Sequence, residues 1–169
     1  MNKLIALIVV ALLALSATAF AETYHTGDIT FDYDEQAFEI SLDDSTDDVT
    51  YVVVYGKVEA WGHTYVSFYM EDLEDGKPFP TAEELSKENG VEVTEGEWNG
   101  YKKVLMYSIE GDDGMTRSTF IVPVTDNNDN EIDDILTVGI GTSKIDDETA
   151  LQARDDAISA IVDSLKVKD

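Results

Sequence analysis

The sequence predicts an α+β domain: an antiparallel β-sheet with a short helix and a C-terminal amphipathic helix packed on it. Three observations carry this. Apolar and polar residues alternate with period two through much of residues 28–141. Turn-forming clusters of Gly, Asn and Asp break the alternation into short runs. A helical-period stripe, Leu151, Ile158, Ile161, Val162 and Leu165, closes the chain. Strands first and a covering helix last is the α+β order.

The first segment stands outside the fold. Lys3 ends a short positive region, Leu4–Leu15 is an unbroken apolar run, and Ala19-Phe20-Ala21 supplies small residues before polar Glu22. That is the order of a secretory signal peptide over residues 1–21, with cleavage after Ala21. The apolar run is shorter than the ~20 residues a membrane span needs. No second apolar segment follows. The expectation is a secreted, extracytoplasmic protein, free of the membrane after cleavage, with residues 22–169 as a single acidic domain.

Within that domain, Ile29, Phe31 and Tyr33 share one strand face, and Phe38, Ile40 and Leu42 repeat the pattern. His25 precedes them in a loose N-terminal segment. Tyr51–Tyr55 is continuously apolar, which suits a central strand. Trp61-Gly62-His63 reads as a turn into the partner strand Tyr65–Met70. Thr81-Ala82-Glu83-Glu84 forms a capping box, and Asn89-Gly90 supplies the stop. Residues 82–89 are therefore a short helix, with Leu85 its one strongly apolar side chain.

Val91–Thr94 reads as a strand, Gly96–Gly100 as a turn, and Tyr101 to Ile109 as the next strand. Gly111–Gly114 is a hairpin loop. Phe120, Val122 and Val124 mark a further strand, with Pro123 at an edge or margin. Ile135–Gly141 is the last clear strand. Asp146 or Asp147 caps the final helix, and Lys166 and Lys168 lie near its C-terminal end, where positive charge suits the dipole.

Composition narrows the function classes. Of 169 residues, 36 are acidic and 11 basic, a formal net charge of -25. Such a field repels nucleic acid and anionic lipid and favours cationic partners. Cysteine is absent. The fold therefore uses neither disulfides nor thiolate metal sites, and there is no cysteine nucleophile.

The segments "ITFDYDEQAFEISL", "TAEELSKENG", "GEWNGYKKVLMYSI" and "AISAIVDSLKV" fall in an order that resembles the PsbP-like fold family. The likeness spans most of residues 28–168. It implies an antiparallel sheet flanked by helices, and an adaptor role rather than catalysis. Photosystem members of that family help retain calcium and chloride, and nuclear-transport relatives bind a small GTPase. Secreted bacterial members have no assigned function. No functional residue carries over.

Candidate chemistry is sparse. His25 and His63 have no convergent partners by spacing, so no catalytic triad or histidine metal site is expected. There is no glycine-rich phosphate loop and no basic patch. Asp126, Asn128 and Asn130 match alternate oxygen ligands of a calcium loop. The template fails at its sixth position, Glu131 in place of Gly, and at its twelfth, Thr137 in place of Glu. Tyr51, Tyr55, Tyr65, Tyr69, Tyr101 and Tyr107 fit cross-strand packing better than a ligand platform. Trp61 and Trp98, both at turns, are the expected partner contacts. Arg117 is expected to pair with nearby acid.

These residues predict a secreted, non-catalytic binding or accessory domain. Its partner would be a protein or a cell-envelope component, and no cofactor is implied. It should show no deep polar pocket and an exposed aromatic patch near Trp61 or Trp98. Two alternatives predict other things. A hydrolase of extracellular glycans needs two acidic residues facing across a cleft, one with a raised pKa. A calcium-responsive module needs Asp126, Asn128 and Asn130.

Overall fold

The alternating runs become strands because each has one side that escapes water only by facing a common core. The computed structural model describes residues 21–46, 48–73, 77–125 and 132–168. The strands among them are β1 (Ala21–Thr26), β2 (Ile29–Asp34), β3 (Phe38–Asp43), β4 (Val49–Gly56), β5 (Thr64–Asp72), β6 (Thr94–Trp98), β7 (Tyr101–Glu110), β8 (Met115–Thr125), β9 (Ile132–Ser143) and β10 (Lys166–Val167). The helices are α1 (Ala82–Asn89) and α2 (Glu148–Ser164), with a 3₁₀ turn at Glu59–Trp61. The class is α+β, and every strand pairing is antiparallel.

Seven strands form the main sheet in the order β3-β4-β5-β9-β8-β7-β6. It is two meanders, β3-β4-β5 and β6-β7-β8-β9, joined where β9 pairs β5. The chain crosses from β5 to the far edge through α1. Three strands, β1-β2-β10, form a second small sheet. The sequence predicts only one sheet; it cannot tell which partner a half-buried strand will choose.

The small sheet and α2 lie on one face of the large one. Phe31 of β2 meets Phe68 of β5 with ring centroids 4.9 Å apart. Helix α2 packs on β2, contributing Ile158, Ile161, Val162 and Leu165 to the core. Ser164 ties the two together: its Oγ accepts from the Asp32 N–H at 2.8 Å. Inward-facing Val52, Val54, Val66, Phe68, Leu136 and Val138 are each fully buried.

Both expected helix starts hold. Thr81 Oγ1 accepts from the Glu84 N–H at 3.3 Å, and Glu84 Oε2 accepts from the Thr81 N–H at 2.9 Å. Asp147 caps α2 through the N–H groups of Thr149 and Ala150. Helix α1, however, buries none of its residues. It has Leu85 as its single large apolar side chain, too little to seat it deeply.

Four local expectations are corrected. His25 is not in a loose segment; it sits in β1 opposite Thr30, because the Gly27-Asp28 turn folds β1 back on β2. The strand expected at 91–94 lies at Thr94–Trp98, and the turn is only Asn99-Gly100, both with positive φ (48° and 84°). A two-residue hairpin turn of this hand needs both centres left-handed, which Asn and Gly tolerate best. Its position lets Trp98 stack on Phe120 at 4.5 Å. Lys166 and Lys168 do not end the helix. The backbone turns extended at Leu165, which is buried, and Lys166 then pairs with Thr30 in β10. Pro123 behaves as expected: the β7–β8 ladder stops at Leu105↔Ile121, so Pro123 lies beyond its last partner.

Candidate functional site

The large sheet has two faces, and they differ in chemistry. Along β4 and through Met70 of β5 burial alternates strictly. Up to Met70, every residue turned toward the small sheet is apolar, threonine or glycine and buried; Asp72, at the end of β5, is exposed. The residues turned the other way include four tyrosines and, apart from exposed Glu71, are half-buried. Register sets them side by side. One row runs Tyr55, Tyr65, Gly141, Arg117, Ile109; the next runs Val53, Ser67, Gly139, Thr119, Tyr107; the third runs Tyr51, Tyr69, Thr137, Ile121, Leu105.

Five tyrosines therefore stand on one outer face: Tyr51, Tyr55, Tyr65, Tyr69 and Tyr107. Tyr51 and Tyr69 meet edge to face at 6.0 Å. The Tyr55 hydroxyl lies 2.6 Å from His63 Nδ1. Tyr69 donates to Glu71 at 2.7 Å, and this hydrogen bond to a carboxylate, with some burial, raises the phenol pKa. Ile109, at 36% exposure, is an open apolar side chain of the same face. Glu39 flanks Tyr55 and Glu71 flanks Val49, both exposed. The face is aromatic at its centre and acidic at its edges.

The tryptophans are not part of it. Trp61 is 6% exposed and packs on Phe38 at 5.5 Å. Trp98 is partly buried against the core. The expected aromatic patch near them is corrected by these placements: a 3₁₀ turn drives Trp61 inward, and the hairpin turn folds Trp98 over Phe120. Tyr101 also packs on the core. Strand registers, which decide facing, were the missing information for the other five tyrosines.

Arg117 meets its expected acid. Its Nη2 lies 2.5 Å from Asp113 Oδ2. The hydrogen bonds from Arg117 and the Met115 N–H hold the Asp113 carboxyl at about 2.

Asp134 and Asp72 are register partners on β9 and β5. Burial, then a hydrogen bond and repulsion from Asp72, raise Asp134 to about 6. This is a carboxyl pair with one raised pKa, but its members are neighbours on adjacent strands. At the end of β3, Asp43 collects three hydroxyls. Burial opposes its ionisation, yet hydrogen bonds from Ser45, Thr26 and Tyr24 prevail and lower its pKa. Tyr24, buried and bonded to that carboxylate, is pushed up to about 12.

Two clefts open on the opposite side. One, of about 510 Å³, lies between the Gly111–Gly114 loop, the end of β9 and the first turns of α2. Arg154 and Lys144 line it. The other lies at the Asn99-Gly100 turn beside Lys166. Arg154 is a residue the sequence reading passed over. Its signal was there: it falls three after Leu151 and four before Ile158, a cation on the apolar stripe.

Among the described residues no group of three or more His, Asp or Glu is placed to hold a metal ion. The calcium expectation at Asp126, Asn128 and Asn130 falls outside the described residues, as do residues 1–20 of the expected signal peptide. No described helix is long and apolar enough to cross a membrane. Comparison with known proteins adds no assignment: no family model, curated protein or solved structure matches the chain.

Proposed function

We propose that this is a secreted, non-catalytic binding module that docks a cationic polypeptide on the tyrosine face of its large sheet. The observation that carries the reading is the set of five half-buried tyrosines aligned on one sheet face with acid at its margins. Tyrosine gives large contact area at low entropic cost and can accept cations over its ring. A net charge of -25 steers positively charged partners and repels nucleic acid. The leader-like residues 1–21 and the PsbP-like order of elements support an exported adaptor.

The test uses a lysine-rich extended peptide and an uncharged peptide of equal length, titrated against the purified protein by calorimetry. A variant carrying Tyr51→Ser, Tyr69→Ser and Tyr107→Ser keeps the charge. The reading expects saturable binding of the cationic peptide, weakened by salt, and lost in the variant while its circular dichroism is unchanged. Binding equal in variant and parent would mean that the charge alone attracts the peptide, and would reject the face.

One observation favours a second reading. Asp134, beside Asp72, has the raised pKa that the general acid of a glycan hydrolase needs. Release of reducing sugar from envelope glycans, abolished by Asp134→Asn, would establish that reading over the first.

A further inference from the structure

We propose that the cleft between the Gly111–Gly114 loop, the end of β9 and the start of α2 binds a carboxylate with a short aliphatic body. Arg154 is the centre of the argument. It is 5% exposed, yet it lines an open cleft. Its Nη1 donates to the Ser143 carbonyl at 2.7 Å, and its Nε to Asp155 Oδ1 at 3.0 Å. Nη2 lies 3.0 Å from the same Asp155 oxygen. Guanidinium has five N–H donors. These contacts use one on each nitrogen, so each terminal nitrogen keeps one N–H without a partner among the described residues.

The remaining lining fits the same ligand. Lys144, exposed, brings a second cation to the cleft. Thr116 and Thr142 are register partners that both line it. Neither hydroxyl has a hydrogen-bond partner among the described residues. Ile145 and Leu151 supply apolar wall. The volume, about 510 Å³, suits a small molecule or a chain end.

The charge balance selects the anion. Only two arginines occur in the chain, Arg117 and Arg154, and Glu110 also lines the cleft. In a field this negative, a single charge costs less to bring in than a doubly charged phosphate. A guanidinium offering one N–H from each terminal nitrogen complements a carboxylate. The carboxylate could come from a free aliphatic acid or from a polypeptide C-terminus.

The probe is sodium hexanoate, titrated into the purified protein at constant ionic strength and followed by amide chemical shifts. Hexanol is the uncharged control. A peptide ending in leucine, with a free or an amidated C-terminus, forms the second arm. The expected result is saturable, millimolar shifts confined to Gly111–Thr116, Thr142–Ile145 and the first turns of α2, absent with hexanol. Lys144→Gln, a surface change, should weaken binding about 5-fold, the worth of one rim cation. Arg154→Lys should weaken it further, with the α2 shifts reporting whether the helix stays docked. A free-ended peptide binding better than hexanoate and than its amide assigns a chain terminus. Hexanoate binding better assigns a free acid. No saturable shift up to about 100 mM, or equal shifts with hexanol, overturns the proposal.

Discussion

The Tyr65 ring lies so close over Gly141 of the neighbouring strand that a Cβ on the glycine would overlap Cε1 and Cζ. Gly141 is also the partner of Arg117 on its other side, and the Tyr65 hydroxyl is among the groups that stabilise the Arg117 charge, after Asp113. A missing side chain thus lets one tyrosine reach across a strand. Gly141→Ala should cost about 1–3 kcal/mol, read from urea unfolding, because ring and strand must both move. Gly139→Ala should cost less, since only the rotatable Ser67 hydroxyl stands in the way. Equal losses for the two would refute the role given to the Tyr65 ring.

The two sheets meet through Phe31 and Phe68. Phe31 is 1% exposed and lies beneath the segment that α2 covers. Phe31→Ala should destabilise by about 3–5 kcal/mol. Hydrogen exchange should show β1, β2 and β10 opening first, while β4, β5 and β9 stay protected. Uniform loss of protection would mean that the small sheet is not a separable layer.

Asp134 makes stability depend on pH. Its folded pKa, about 6, lies above its ordinary 3.8. The folded state therefore holds a proton that the unfolded chain has released. This contribution is fully present below about pH 4 and is lost as pH rises through 6. Asp134→Asn should flatten stability across that window and stabilise the protein at neutral pH. The gain is on the order of 1 kcal/mol, discounted because the site is only partly buried. Melting curves from pH 4 to 7 give the answer; a parallel pH dependence in the variant would contradict the pairing with Asp72.

Asp147 accepts from two free N–H groups at the start of α2. Asp147→Ala should cost about 1 kcal/mol, and Asp147→Asn much less, since the amide oxygen still accepts. Thermal melts of both variants separate capping from charge.

The sequence by itself determined the local grammar of this protein. Alternation in Ile29–Tyr33 and Phe38–Leu42 marked strands, because one side tends to leave water, although a bulge between Ile40 and Leu42 leaves Leu42 exposed. Thr81 with Glu84, and Asp147, fixed helix starts through hydrogen bonds that span at most three residues. What only the tertiary structure decided is which side meets which partner. The pairing of β9 with β5 placed five tyrosines on one open face. The hairpin folded over the sheet buried Phe31. The docking of α2 carried Arg154 to a cleft wall, and a turn carried Trp61 inside. These outcomes depend on contacts between residues tens of positions apart, where local preference is silent and the burial of the whole core selects the arrangement.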